Sequence, residues 1–147
     1  MNKKNLIIIG VIVLLIVGAI VVVSASSSEK TDGAYNYGNM KTANSFTSYT
    51  GYTQTPTAGN VFVVVDMALE NQNYGNGISN NPLYFKLNID GIGYTWPSSS
   101  KDIVSLSIGA KITFKLAFEV PAGIDISNAS VSWNWVGKVV RDTNLAL

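Results

Sequence analysis

"KITFKLAFEVP", Lys111 to Pro121, alternates cleanly: Ile112, Phe114, Leu116, Phe118 and Val120 fall on one side of an extended chain, and Lys111, Thr113, Lys115 and Glu119 on the other. A period of two with bulky apolar residues on one side describes a strand that buries one face and wets the other. Pro121 has no amide N–H to continue a ladder and ends it. Upstream, "VFVVVDMALEN" (Val61 to Asn71) repeats the pattern, with Val61, Val63, Val65, Met67 and Leu69 on the core side and Asp66 and Glu70 opposite.

Further segments extend the series outward. "LYFKLNI" (Leu83 to Ile89) puts Leu83, Phe85, Leu87 and Ile89 on one face, and Asp90-Gly91 then supplies a two-residue hairpin turn into "IGYTW". "IVSL" (Ile103 to Leu106), "SVSWNWV" (Ser130 to Val136), Lys138 to Val140 and the weaker "FTSYTGYT" (Phe46 to Thr53) bring the expected total to seven or eight strands. After residue 23 no segment of useful length has helical periodicity, so the pattern predicts an all-β, antiparallel β-sandwich over 45–147.

The N-terminus is written for another solvent. All but three of the 18 residues in "LIIIGVIVLLIVGAIVVV" (Leu6 to Val23) are Leu, Ile or Val. Insertion into lipid is favoured by roughly 5 to 9 kcal/mol. As a helix the run covers roughly 27 Å, close to the ~30 Å hydrocarbon core. β-Branched residues dominate it, but an unpaired strand in lipid leaves its peptide groups unsatisfied, so a transmembrane helix is expected. Lys3 and Lys4 precede it, so residues 1–5 are read as cytoplasmic and the C-terminal domain as extracytoplasmic. Val23-Ser24-Ala25 also fits a signal-cleavage site; cleavage after Ala25 would release a secreted domain, although the apolar run exceeds the usual signal length. There is no lipobox cysteine, and no Glu inside the run as a type IV pilin would carry. From Ser24 to Asn44 the text is rich in Ser, Asn, Gly and Thr, lacks periodicity, and reads as a polar tether.

Composition removes whole classes of function. The chain of 147 residues has no Cys and no His, hence no disulfide, thiolate nucleophile or imidazole base. Its net charge is +1, and no basic stripe exists to neutralise phosphates, so no nucleic-acid partner is expected. No cofactor motif is present. The expected partners are membrane lipid, through the N-terminal helix, and an envelope protein or glycan.

Gly59-Asn60-Val61-Phe62 through Asp66 to Asn71, then Phe85 and Tyr94, Gly109-Ala110-Lys111, and finally Phe118-Glu119-Val120-Pro121, resemble the telokin-like, immunoprotective extracellular immunoglobulin-like family of prokaryotic surface proteins. The resemblance covers roughly 46–136. It implies an exported immunoglobulin-like sandwich, often tethered by a lipid or an N-terminal helix, with no established catalytic residues.

Several positions are weighed as sites. Asp66 and Glu70 lie on one strand face about 13 Å apart, too far for a glycosidase pair, and are expected to face Lys111, Lys115 or Glu119 across strands. The loop "NQNYGNGISNNP" (Asn71 to Pro82) has many amide oxygens but no carboxylate, which disfavours calcium. Within it Tyr74, Asn76, Asn80 and Asn81 are expected to form an interaction loop, with exposed Trp96 as a further contact. Trp133 and Trp135 share an apolar face and are read as core in preference to a sugar platform. Asn128-Ala129-Ser130 matches an N-glycosylation acceptor. The sequence thus predicts a membrane-anchored, non-enzymatic interaction module, with a structural subunit of a cell-surface layer or filament as the alternative.

Overall fold

The computed structural model describes residues 30–147, so the expected span Leu6–Val23, its cytoplasmic flank and the cleavage site lie outside the described residues. Among the described residues twelve strands follow one another: β1 Gly33–Ala43, β2 Phe46–Thr47, β3 Thr53–Gln54, β4 Asn60–Asn71, β5 Ile78–Ser79, β6 Phe85–Ile89, β7 Ile92–Tyr94, β8 Ser98–Ser99, β9 Ser105–Leu106, β10 Lys111–Pro121, β11 Ser130–Trp133 and β12 Val139–Arg141. The main sheet has the order β12-β1-β4-β10-β8, and a second has the order β11-β6-β7; β2-β3 and β5-β9 are short separate ladders. Among the described residues the one helical element is a three-residue 3-10 turn, Pro82–Tyr84.

The residues that alternate in sequence meet in space. Val63, Val65, Met67 and Leu69 of β4 and Phe114, Leu116, Phe118 and Val120 of β10 turn inward from the main sheet. Phe85, Leu87 and Ile89 of β6 and Val131 and Trp133 of β11 join the same buried cluster from the second sheet. At about 1.5–3 kcal/mol per buried large side chain, this shared layer is the main favourable term in the fold. β4 and β10 pair without a break from Lys111↔Glu70 to Pro121↔Asn60. That register joins Lys111 to Glu70 (3.3 Å) and Lys115 to Asp66, as the charge pattern predicts. Asp90 and Gly91 both have positive φ (48° and 81°), the conformation of a type I′ hairpin turn, and deliver Ile92 opposite Ile89.

Five expectations need correction. The expected tether 24–44 contains β1, which lies inside the main sheet between β4 and β12. Its alternation is hidden because Tyr35, Tyr37 and Met40 pack against the core, with an extra residue between the last two. That residue, Asn39, has φ 38° and sits in a bulge where the register steps from Gly38↔Asp66 to Lys41↔Val64. The sandwich is also not wholly antiparallel: β1 and β12 run parallel, Gly33↔Val139 to Tyr35↔Arg141. The chain reaches that pairing through Asp32, which accepts from Lys138 N with its carboxylate (2.7 Å) and donates its own N–H to Lys138 O (2.8 Å).

Leu83, expected to face the core from a strand, is 56% exposed on the 3-10 turn. Pro82 opens that turn, and the Asn81 side chain accepts from Leu83 N (3.0 Å), so the strand begins only at Phe85. Finally, the outer face of β4 is not simply wet. Phe62 and Val64 are buried there with Phe46 and Ala117, and Ala68 with Ala34 and Leu145 of the C-terminal tail. The predicted strand 46–53 is in fact a tight hairpin, β2 and β3 closed by Ser48 N to Tyr52 O (3.0 Å), and it covers the first of those clusters.

Candidate functional site

The hairpin that covers Phe62 also builds a groove. Phe46 packs edge-on against Phe62 and holds β2-β3 down on the main sheet. Ser98 Oγ donates to Gln54 Oε1 (2.6 Å) and Tyr49 N donates to Ser99 O (3.0 Å), which tie the hairpin to β8. Between these elements and β10 runs a groove of about 360 Å3, walled by Tyr52, Gln54, Thr55, Trp96, Ser98 and Glu119, with Phe62 and Ala117 as its floor. A second groove of about 270 Å3, lined by Tyr49, Pro82, Pro97, Lys101 and Ile103 among others, shares Gln54 and Ser98 with the first.

Trp96 is the most conspicuous side chain in the groove. It is 78% exposed, and its φ of 62° is left-handed, a region costly for a bulky residue and disfavoured before proline. Pro97 behind it is buried, so the chain is pinned at the proline and the indole is directed away from the core. Tyr52, 69% exposed, supplies a second ring. Between them the polar groups are fixed before any ligand arrives. Glu119 Oε1 accepts from Asn60 Nδ2 and from Thr57 N, both at 2.8 Å. These hydrogen bonds hold its carboxyl below the usual glutamate range, Asn60 contributing most and Thr57 next.

The residues expected as an interaction loop do not join this groove. Asn80 is fully buried, donating to Asp102 O (2.9 Å) and accepting from Val104 N (2.7 Å), so it braces the β5-β9 region and is closed to a ligand. A buried amide needs such partners, which is why an asparagine-rich loop turns inward at this point. Asn71 does the same at the loop's start, bonding Leu106 O, Tyr74 O and Tyr74 N. Tyr74 is half-buried with its ring edge-on to Trp135, and Asn81 caps the 3-10 turn. Asn76 is exposed, as is Asn128 in the turn before β11. Trp133 is buried and stacked on Phe85 and Trp135, as the core reading expected.

Trp96 is therefore the one expected contact residue that the groove contains. Tyr52 and Gln54 escaped sequence reasoning, and Glu119, expected across from Asp66 or Glu70, instead stands opposite Phe62 and accepts from Asn60 and Thr57. The available signal was the pair Tyr49 and Tyr52 in a Gly-containing turn, large rings where no alternation gives them a core to enter.

Chemically the groove suits binding. Asp66 and Glu70 are engaged by lysines, Glu119 has no second carboxylate beside it in the groove, and no group of three or more metal-ligating side chains occurs among the described residues. No family model matches the chain, and no curated protein or solved structure matches it either.

Proposed function

We propose that this protein is a membrane-anchored, extracytoplasmic, non-enzymatic interaction module: an immunoglobulin-like sandwich held outside the cell by the apolar segment Leu6–Val23 and presenting the Trp96 groove. The observation that carries the reading is Trp96 itself. A tryptophan 78% exposed on a left-handed backbone and backed by a buried proline has no packing role to explain it. The sequence supports the anchor and its orientation, through lysines before the apolar run and a near-neutral domain after it. The resemblance to exported immunoglobulin-like surface domains supports the same placement.

The test is topological and then functional. The full chain is expected to sediment with membranes, to resist carbonate extraction, and to lose its β domain when intact cells are treated with protease. Recovery of the intact chain in the soluble fraction, or protection of the domain until cells are lysed, overturns the reading. Retention of the protein on its own envelope material is then expected to fall on Trp96→Ala, with unchanged circular dichroism.

A further inference from the structure

Resting on that reading, we propose that the groove between Tyr52 and Trp96 is a carbohydrate site that takes an uncharged glycan chain. Sugar rings present two kinds of surface at once: C–H faces that lie flat on the electron-rich face of an aromatic ring, and an equatorial belt of hydroxyls that both donate and accept. The groove offers counterparts to both. Trp96 and Tyr52 are exposed rings, and the polar groups between them are already committed on one side and free on the other.

Glu119 uses Oε1 for Asn60 Nδ2 and Thr57 N, and a carboxylate keeps further lone pairs with which to accept from a ligand. Gln54 uses Oε1 for Ser98, which leaves its amide N–H groups as donors. An acceptor and a donor fixed in one groove match a hydroxyl pair on a sugar, and their pre-set geometry lowers the ordering cost of binding.

The charge selects further. The groove carries one carboxylate, held ionised by its hydrogen bonds, and no cation among its lining residues. In this first groove a sulfated, phosphorylated or uronic-acid residue would meet that charge uncompensated, and Lys101, which lines the second groove, brings the two grooves together to no net charge. A polyproline segment also fits aromatic grooves, but its backbone offers carbonyls, which accept only, so Glu119 would face it without a donor. Length points to a chain over a single sugar, because the second groove continues past the Gln54–Ser98 hydrogen bond and adds Tyr49.

The experiment uses the full chain in a sugar-free polyoxyethylene detergent and follows iodide quenching of tryptophan fluorescence, since Trp133 is buried and Trp135 half-buried while Trp96 is open. The probes are soluble glucan, mannan, galactan, N-acetylglucosamine oligomers, dextran sulfate and a proline-rich peptide. At least one neutral glycan is expected to bind saturably and to shield the quenchable indole. Trp96→Ala and Tyr52→Ala, read by calorimetry, are each expected to weaken it about tenfold, the order of one lost stacking ring. Glu119→Gln is expected to weaken it less.

Failure of every neutral glycan, tighter binding of dextran sulfate, binding of the peptide alone, or glycan affinity unmoved by both ring removals overturns the inference. If the glycans fail while the domain is still digested from outside intact cells and its envelope retention still depends on Trp96, the carbohydrate assignment falls and the interaction module stands. If glycans bind but the domain is protected in intact cells, the site stands and the surface placement falls.

Discussion

β1 and β10 flank the same strand, β4, and each spans 11 residues, yet they are held by different means. β10 carries its own instructions. Four large side chains from Phe114 to Val120 enter the core, two lysines reach acidic partners on β4, and the ladder runs unbroken. β1 contributes rings that are only partly buried and a bulge at Asn39, and it is secured from outside by what is laid over it. Asn36 Nδ2 donates to Leu145 O (2.8 Å), Asp142 N donates to Tyr35 O (2.8 Å), and Arg141 sits 3.7 Å from the centre of the Tyr37 ring. One strand is specified by burial and the other by later segments that return to it.

The sharpest way to break the comparison is to delete one residue from each strand. Removing Ala117 moves half of β10 by one position and exchanges its faces, sending Phe118 and Val120 outward and Glu119 inward. Loss of the cooperative urea transition is expected. Removing Asn39 does the opposite: Met40 comes to stand opposite Val65, and Lys41 keeps its place opposite Val64. A left-handed residue disappears with the bulge, so a stability within about 1 kcal/mol of the parent is expected. If the Asn39 deletion unfolds the protein, the bulge does more than accommodate an extra residue.

Point substitutions probe the same contrast at lower amplitude. Phe118 is fully buried, and Phe118→Ala is expected to cost about 3–5 kcal/mol in urea unfolding. Tyr35 is only partly buried, and Tyr35→Ala is expected to cost roughly 1–2 kcal/mol. Equal losses would show β1 to be as deeply built into the core as β10.

The same contrast explains what the sequence discloses. β4, β6 and β10 could be read because each buries large aliphatic or aromatic residues at every second position, and Asp90-Gly91 because positive φ at two successive residues needs such a pair. β1 could not be read. Its buried places are Gly33, Ala34 and Asn36, its rings are only partly buried, and Asn39 resets the parity between Tyr37 and Met40. The groove was partly legible for a related reason. Trp96 stood out beside a proline and a serine run, but Glu119 reads as the wet side of a strand until the β2-β3 hairpin and Asn60 are in place beside it. Asn80 misled because polarity in a loop usually means solvent, whereas here it answers buried backbone groups.

On the outward face of β10, Lys115→Ala removes the ion pair with Asp66 while half of the lysine side chain is already in water. A change of about 0.2–1 kcal/mol that shrinks further in high salt is expected, well below either core substitution. A salt-insensitive loss would mean that the lysine stem packs, and that β10 too is held partly from outside.

The smallest effect separates the two strands by pH. Glu119 on β10 has its folded pKa lowered by Asn60 and Thr57, so its contribution is full above about 4.5, the ordinary value, and is lost as pH falls through the lower folded value. Tyr35 on β1 has its folded pKa raised, first by burial and then by the neighbouring Tyr37, with Arg141 opposing. Its contribution is full below 10.0 and is lost as pH rises through the raised folded value. Glu119→Gln should therefore flatten the acid limb of stability and leave the alkaline limb, while Tyr35→Phe should flatten the alkaline limb and leave the acid one. A variant that flattens both limbs would show that the two strands share one electrostatic environment through β4, contrary to the separate support that the fold gives them.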